Sequence, residues 1–188
     1  MKKIFGCTIG LGFLLLIAAL MAQENKSSGF VDFGKLPTSN SGEFVEVNLG
    51  RTIFAISGKL FEKSDPEVAA LVRGLHLLQV NVVGLGDDNR TQIQEHIRKL
   101  RADLTSKGWE RIVSVKEKKD DIAIFLKTRG EEAVEGLVVT VLDGDKEAVL
   151  VNIVGNIKPE QVATLGEKMN IDPLKKFAAE AKKAEKQP

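Results

Sequence analysis

The residues best suited to binding or catalysis in this sequence are an acidic pair that follows two glycines. Gly84 and Gly86 end an apolar run, and Asp87, Asp88 and Asn89 then precede a helical pattern. A dinucleotide-binding fingerprint occupies this kind of strand-to-helix turn. However, Asn89 stands where the third glycine would be, and two carboxylates would oppose a phosphate at a helix start that favours anions. We therefore interpret the stretch as a turn with an N-cap from Asp88 or Asn89.

Metal ligands and nucleophiles show no spacing that is typical of a site. The two histidines, His76 and His96, form no HxxxH or HExxH pattern, and no serine lies in a GxSxG elbow. Paired carboxylates at 87–88, 120–121 and 143/145 fall in predicted turns, where aspartate is favoured for backbone reasons. We predict no catalytic residue, no cofactor and no metal site. An enzyme whose site has no local motif is the alternative.

Two asparagines lie inside apolar runs that read as strands. Asn152 shares a face with Leu150 and Val154, and Asn81 has the same kind of apolar neighbours. Because an unpaired buried amide costs about 1–3 kcal/mol, each needs partners. One interpretation is a hydrogen bond to nearby backbone, and the other is a polar spot in an apolar groove. The first is favoured, since most buried polar groups are satisfied in place.

The spacing of apolar residues predicts the elements that position these side chains. Residues 43–49 alternate as a strand with one covered face, and 75–85 form a long apolar strand. Helical spacing begins at Ile53 and again at Pro66. The most regular helix precedes Gly108, and its apolar positions recur at intervals of four, three and four. Those positions are Ile93, Ile97, Leu100 and Leu104.

From Trp109 onward the period changes to that of strands. Four strands are predicted at 109–117, 121–128, 134–142 and 147–154, joined by short turns. Short links imply an antiparallel meander with helices packed on one face. The predicted fold class is therefore α+β. An antiparallel four-stranded meander at about 109–154, plus additional strands, packs against helices in a single domain over residues 43–171.

The C-terminal residues 172–188 are predicted to form a short helix and a basic tail. Their apolar stripe contains Leu174, Phe177 and Ala181. A helix this short is marginal in water unless it docks. We therefore name this stripe as the candidate partner surface, with docking on its own domain and disorder as the alternatives.

The N-terminal residues 1–22 combine two lysines, a long apolar stretch and a small residue, Ala22, at a cut site. This arrangement predicts a secretory signal peptide, or an uncleaved inner-membrane anchor over residues 4–22. The predicted location is the periplasm or cell envelope. Residues 23–42 are polar and rich in serine and glycine, so we expect a flexible tether.

The formal net charge of +1 gives no general attraction to nucleic acid or lipid. Membrane contact is expected only through the N-terminal segment, if it is retained. The single cysteine, Cys7, precedes the end of the apolar stretch, so it is not placed to carry a lipid. With one tryptophan and no tyrosine, stacking platforms for sugars or bases are scarce.

Two stretches carry a resemblance to a known family. FVEVNL at 44–49 and VNIVGNIKPEQVATLGEKMNI at 151–171 resemble the bacterial domain of unknown function numbered 4252. The resemblance covers about residues 43–171. It implies an exported protein. Many members look like lipoproteins, but this sequence has no cysteine after its apolar stretch. The resemblance brings no activity, substrate or catalytic residue.

Together these features predict an exported, non-enzymatic envelope protein. We expect a binding or regulatory module for a protein partner or an apolar ligand, and its oligomeric state is left open. The alternative is an envelope enzyme with no recognisable motif.

Overall fold

The computed structural model of the chain describes residues 27–40, 42–118, 120–130, 132–158 and 161. Within these residues it contains six strands and three helices. They are β1 (Phe44–Gly50), α1 (Arg51–Phe61), α2 (Pro66–Gly74), β2 (Leu75–Gly84), α3 (Arg90–Ser106), β3 (Glu110–Glu117), β4 (Asp120–Arg129), β5 (Ala133–Asp143) and β6 (Glu147–Ile157). The α+β class and the four-stranded meander predicted from the sequence are confirmed. None of the three described helices is long and apolar enough to cross a membrane.

All six strands form one antiparallel sheet with the order β1-β2-β6-β5-β4-β3. The meander β3 to β6 pairs sequential neighbours, but β2 pairs with the last strand, β6, rather than with β3. Helix α3 therefore connects β2, which lies next to one edge of the sheet, to β3 at the other edge. The two edges are β1 and β3, and β6 and β5 lie at the centre.

One face of the sheet, here called the front face, packs against α3. Its side chains include Val83, Phe125, Val138 and Leu150. The predicted apolar positions of α3 are all buried against this face, so the interpretation of that helix is confirmed. Those positions are Ile93, Ile97, Leu100 and Leu104. Helix α3 ends before Gly108, which adopts a positive φ of 74° that favours glycine.

The opposite face, here called the back face, packs against α1 and α2. Phe54 and Leu71 from these helices share a buried cluster with Leu137 and Ile153 from the sheet. The expectation that the helices lie on one face is therefore wrong. The physical reason is visible in β5, AVEGLVVTVLD, which is apolar almost without interruption. Such a strand must be covered on both faces.

Residues 27–40, here called the N-terminal strap, cross the front face without regular secondary structure. Val31, Phe33 and Leu36 are only 8%, 2% and 7% exposed and belong to the front core. This differs from the expectation of a flexible tether over residues 23–42. Three apolar side chains in a polar stretch are enough to fix it, because the front face offers them a complementary apolar surface. Residue 42 is also described. Residues 23–26 and 41 of that range lie outside the described residues.

Asn152 holds the strap in place. Its Oδ1 accepts from the Val31 N–H at 2.9 Å, and its Nδ2 donates to the Gly29 carbonyl oxygen at 3.0 Å. A second donation reaches the Leu137 carbonyl oxygen at 3.3 Å. The side chain is fully buried, so every one of these bonds lies out of water. The interpretation of Asn152 as an amide satisfied by backbone is confirmed, although one partner segment lies far away in sequence.

Gly29 is required where the strap meets the sheet. A Cβ at this position would collide with the carbonyl group of Glu135 on β5. Only a glycine allows the two backbones to approach this closely. The strap is therefore seated by a close backbone contact as well as by the Asn152 amide.

Replacing Asn152 with Leu keeps the side-chain volume but leaves the Val31 N–H and the Gly29 carbonyl without their partner. We expect the free energy of unfolding to fall by about 1–3 kcal/mol, because both groups stay buried. Asn156→Leu is the control, since Asn156 is exposed on the same strand. It should change stability by about 0.5 kcal/mol or less. Urea denaturation measures both values, and equal losses in the two variants would contradict the role of Asn152.

Candidate functional site

The acidic turn at Asp87 and Asp88 has a structural task. The Asp88 carboxylate accepts from Ser39 Oγ at 2.6 Å and from the Asn40 N–H at 3.0 Å. These hydrogen bonds, the Asn40 one foremost, hold the pKa of Asp88 below its usual value. Asp87 is exposed and lies 3.9 Å from Arg90. Asp88 thus fastens the end of the strap to the start of α3.

The Asn89 side chain uses a backbone N–H group of the turn where a phosphate would bind. Its Oδ1 accepts from the Gly86 N–H at 2.8 Å, and its Nδ2 donates to the carbonyl oxygens of Pro37 and Gly84. The backbone N–H of this glycine-containing turn is therefore already used. Asn89 stands at the N-cap position, but its side chain bonds the preceding turn and not the helix amides. The predicted side-chain cap at this site is wrong in that detail.

The two histidines lie apart and each is accounted for by packing. His96 donates its Nε2–H to the Phe33 carbonyl oxygen at 2.8 Å, which joins α3 to the strap. His76 lies on β2, where burial, followed by the nearby charge of Arg51, lowers its pKa. Within the described residues no group of three or more His, Cys, Asp or Glu side chains is arranged to hold a metal ion.

A groove of about 680 Å³ lies on the front face between α3 and the strands β3 and β4. Its charged lining residues are Arg98, Arg101, Arg111, Lys116, Lys118, Asp120, Asp121 and Asp145. The described lining contains one hydroxyl side chain, Thr105, whose Oγ1 donates to the Arg101 carbonyl oxygen at 3.1 Å. The described lining supplies no histidine, serine or cysteine.

Arg101 is a largely buried charge in this groove, and its hydrogen bonds and ion pair are internal. Its Nη1 lies 2.7 Å from Asp121 Oδ1, and its Nε donates to Thr140 Oγ1 at 2.8 Å. Thr140 is fully buried on β5, and the Arg101 side chain is 16% exposed. The guanidinium therefore ties α3 to β4 and β5. A group held this way stabilises the fold.

Exposed large apolar side chains in the described residues gather in one short stretch, 44–61. They are Phe44, Val45, Val47, Ile53, Ile56, Leu60 and Phe61. The first three belong to the edge strand β1, and the others to α1. Because β1 and α1 are in contact, these exposed apolar side chains are candidates for a contact site.

Helix α1 is apolar on two sides. Phe54 and Gly58 are buried against the sheet, whereas Ile53, Ile56 and Leu60 are 47%, 54% and 74% exposed. The spacing of these three residues, i, i+3 and i+7, places them on one stripe, here called the outer stripe. The sequence pattern predicts the helix correctly. It does not reveal that two stripes, and not one, run along a single short helix.

Cations border the outer stripe. Lys59 and Lys63 are exposed near the C-terminal end of α1, whereas Arg51 lies on the opposite side of the helix, near His76. One acid in the same region, Glu62, lies 3.0 Å from Arg73 on α2 and is thereby partly neutralised. The outer stripe is therefore an apolar strip with a positively charged rim.

The candidate partner surface chosen from the sequence, Leu174, Phe177 and Ala181, lies outside the described residues. The exposed apolar stretch 44–61 is a different surface.

Comparison with known proteins gives one match. A family model described as Domain of unknown function (DUF4252) matches residues 39–165, which is more than half of the chain. No curated protein and no solved structure matches.

Replacing Asp88 with Asn tests the link between the strap and α3. Because the folded pKa of Asp88 is lowered, its stabilising effect is present above the usual value of 3.8 and is lost as pH falls through the folded pKa. We expect Asp88→Asn to be less stable than the wild type at neutral pH, with the difference shrinking on acidification. Asp87→Asn is the control and should change little. Thermal unfolding between neutral pH and about pH 2.5 measures this, and a difference that does not depend on pH would contradict it.

Proposed function

This chain belongs to the DUF4252 family of domains of unknown function, and we propose that it is an exported, non-enzymatic protein of the cell envelope that binds a protein partner through helix α1. The observation that carries the proposal is the outer stripe of Ile53, Ile56 and Leu60, which stays exposed while the opposite side of the same helix is buried.

Burial of the outer stripe in an interface would favour association. Fully burying a Leu or Ile side chain stabilises by about 1.5–3 kcal/mol. Three such side chains on one helix can therefore form the apolar centre of an interface. A surface helix without this task normally places polar residues at these positions.

The charge around the stripe defines the chemistry of the partner. Lys59 and Lys63 favour a partner that carries acidic side chains beside its own apolar residues. An amphipathic helix with an apolar stripe flanked by Asp and Glu has this character, and it would pack along α1 as helices pack on each other.

The structural contacts of the polar side chains support the proposal that the protein is not an enzyme. Asp88 and Asn89 hold the strap and the turn, His96 bonds the strap, and Arg101 ties α3 to the sheet. These are the side chains that are most often used in acid–base or phosphate chemistry, and each has a structural partner. This pattern favours a binding module over an enzyme.

The basic start and the apolar stretch that ends near Ala22 support export. We expect protein isolated from the envelope fraction to begin at Gln23, as measured by intact mass. A start at Met1 would instead establish a retained anchor. A diacylglycerol on Cys7 would contradict both forms of the proposal.

The triple variant Ile53→Gln, Ile56→Gln, Leu60→Gln tests the outer stripe. Glutamine keeps helix propensity but removes the apolar surface. We expect recovery of crosslinked envelope partners, quantified by mass spectrometry, to fall at least about tenfold, because about 1.4 kcal/mol of lost binding is enough for that. The matched control is Ala55→Gln, an exposed position on the same helix outside the stripe.

Equal thermal stability of the two variants would show that the fold is retained. Equal recovery of every partner by the triple variant and the control would contradict the proposal. Flotation with phosphatidylglycerol vesicles separates the membrane alternative. Binding to vesicles that depends on the stripe would assign it to a lipid surface and also contradict a protein partner.

A further inference from the structure

The two edge strands of the sheet differ in how they are protected. Strand β3 carries four charged residues in ERIVSVKE and has a register shift between Arg111 and Val113. Strand β1, FVEVNLG, has one charge, Glu46, no lysine, no proline and an uninterrupted register with β2. Charges, prolines and bulges are the devices that keep edges from pairing with other chains. Strand β1 lacks nearly all of them.

The backbone of β1 presents a regular set of groups to this open edge. The Gly84 N–H donates to the Glu43 carbonyl oxygen at 2.7 Å, which places the backbone groups of residue 43 toward β2. Since the direction alternates along a strand, the N–H and C=O groups of residues 44, 46, 48 and 50 point away from β2. Within the described residues nothing pairs with them, and six of the seven residues of β1 are exposed.

We infer that β1 pairs antiparallel with β1 of a second copy of this chain, so that two six-stranded sheets become one continuous sheet. A row of outward N–H and C=O groups with a two-residue period is matched by another strand and not by a helix. The inference rests on the strand edge. It is independent of the proposed function, which uses the outer stripe of α1.

The sequence of β1 selects one register, centred on Val47. In it, Val47 faces Val47 of the second copy, Glu46 faces Asn48, Val45 faces Leu49 and Phe44 faces Gly50. All seven residues then have a partner. A register centred on Glu46 would place two carboxylates opposite each other, which is unfavourable, and one centred on Asn48 would pair fewer residues.

This register also suits both faces of the sheet. Val45, Val47 and Leu49 pair with Val82, Val80 and Leu78 of β2. The second copy therefore extends the apolar back face. On the front face, the carboxylate of Glu46 meets the amide of Asn48. These two groups already bond within one chain, where Asn48 Nδ2 donates to Glu46 Oε1 at 2.6 Å.

A disulfide test reads the register directly. Residues 44, 46 and 48 have outward backbone groups, so Val47 sits at a non-hydrogen-bonded pair, where the two Cα atoms lie about 4.5 Å apart. That distance is within the range a disulfide needs. In the full chain with Cys7→Ser, which removes the only native thiol, we expect Val47→Cys to form a covalent dimer on mild oxidation.

The matched control is Val45→Cys, on the same face of the same strand. In the inferred register its copies lie four residues apart, or about 13 Å, which is too far for a disulfide. A covalent dimer of the Val47→Cys variant and not of the Val45→Cys variant supports the inference. Dimers of both variants, or of neither, overturn it.

Sedimentation equilibrium tests the same pairing without a covalent bond. Val47→Lys should weaken dimerisation at least about tenfold, because the ammonium groups of the two copies would face each other at the centre of the β1 pair. Ser114→Lys, at the exposed centre of β3, should leave it unchanged. A wild-type chain that remains a monomer at about 100 μM would overturn the inference.

The α1 triple variant separates this inference from the proposed function. It should dimerise as the wild type does, even if it loses its envelope partner. Loss of the dimer in that variant would place the self-contact on α1 and overturn the pairing of β1. Normal thermal unfolding of each variant is the check that the fold is retained.

Discussion

Burial of a sheet whose central strands are apolar on both faces is the main constraint on this fold. In β5, Leu137 and Val138 point to opposite faces, and both are fully buried. A single layer of helices could cover only one of them. The chain supplies two layers. Helix α3 and the N-terminal strap cover the front face, and α1 with α2 packs on the back face.

The strap explains why a polar residue stands at the centre of an apolar strand. An irregular segment brings unpaired backbone N–H and C=O groups into the core, and such groups need partners there. Asn152 provides one acceptor and two donors at the point of contact. Asp88, Asn89 and His96 do the same along the rest of the strap. The polar residues that looked most suited to chemistry are therefore used to attach one segment.

With these residues committed to the fold, the surface that we propose for recognition is mainly apolar. It consists of the edge of β1 and the outer stripe of α1, which follow each other directly in the chain. The two surfaces differ in what they can bind. The edge offers backbone groups with strand periodicity, whereas the stripe offers side chains with helical periodicity and a cationic rim. A protein that pairs through the first can still present the second to another molecule.

Local patterns in the sequence were sufficient to predict the elements, because periodicity is a property of neighbouring residues. The strands of the meander, the long strand β2, and the helices starting near Ile53, Pro66 and Arg90 were all predicted within a few residues. The family resemblance and the structural nature of Asn152 were likewise available from local patterns. Turn chemistry and apolar spacing are sufficient for these conclusions.

Contacts between residues that are distant in the chain determined the rest. The pairing of β2 with β6 places β1 at an edge, and no local signal distinguishes this order from a sequential one. Packing on Val83 and Phe125 turned a polar stretch into the strap, because three apolar side chains there found a matching surface. In α1, Phe54 and Ile53 are equally apolar in the sequence. Only the position of the sheet determines that one is buried and the other is exposed.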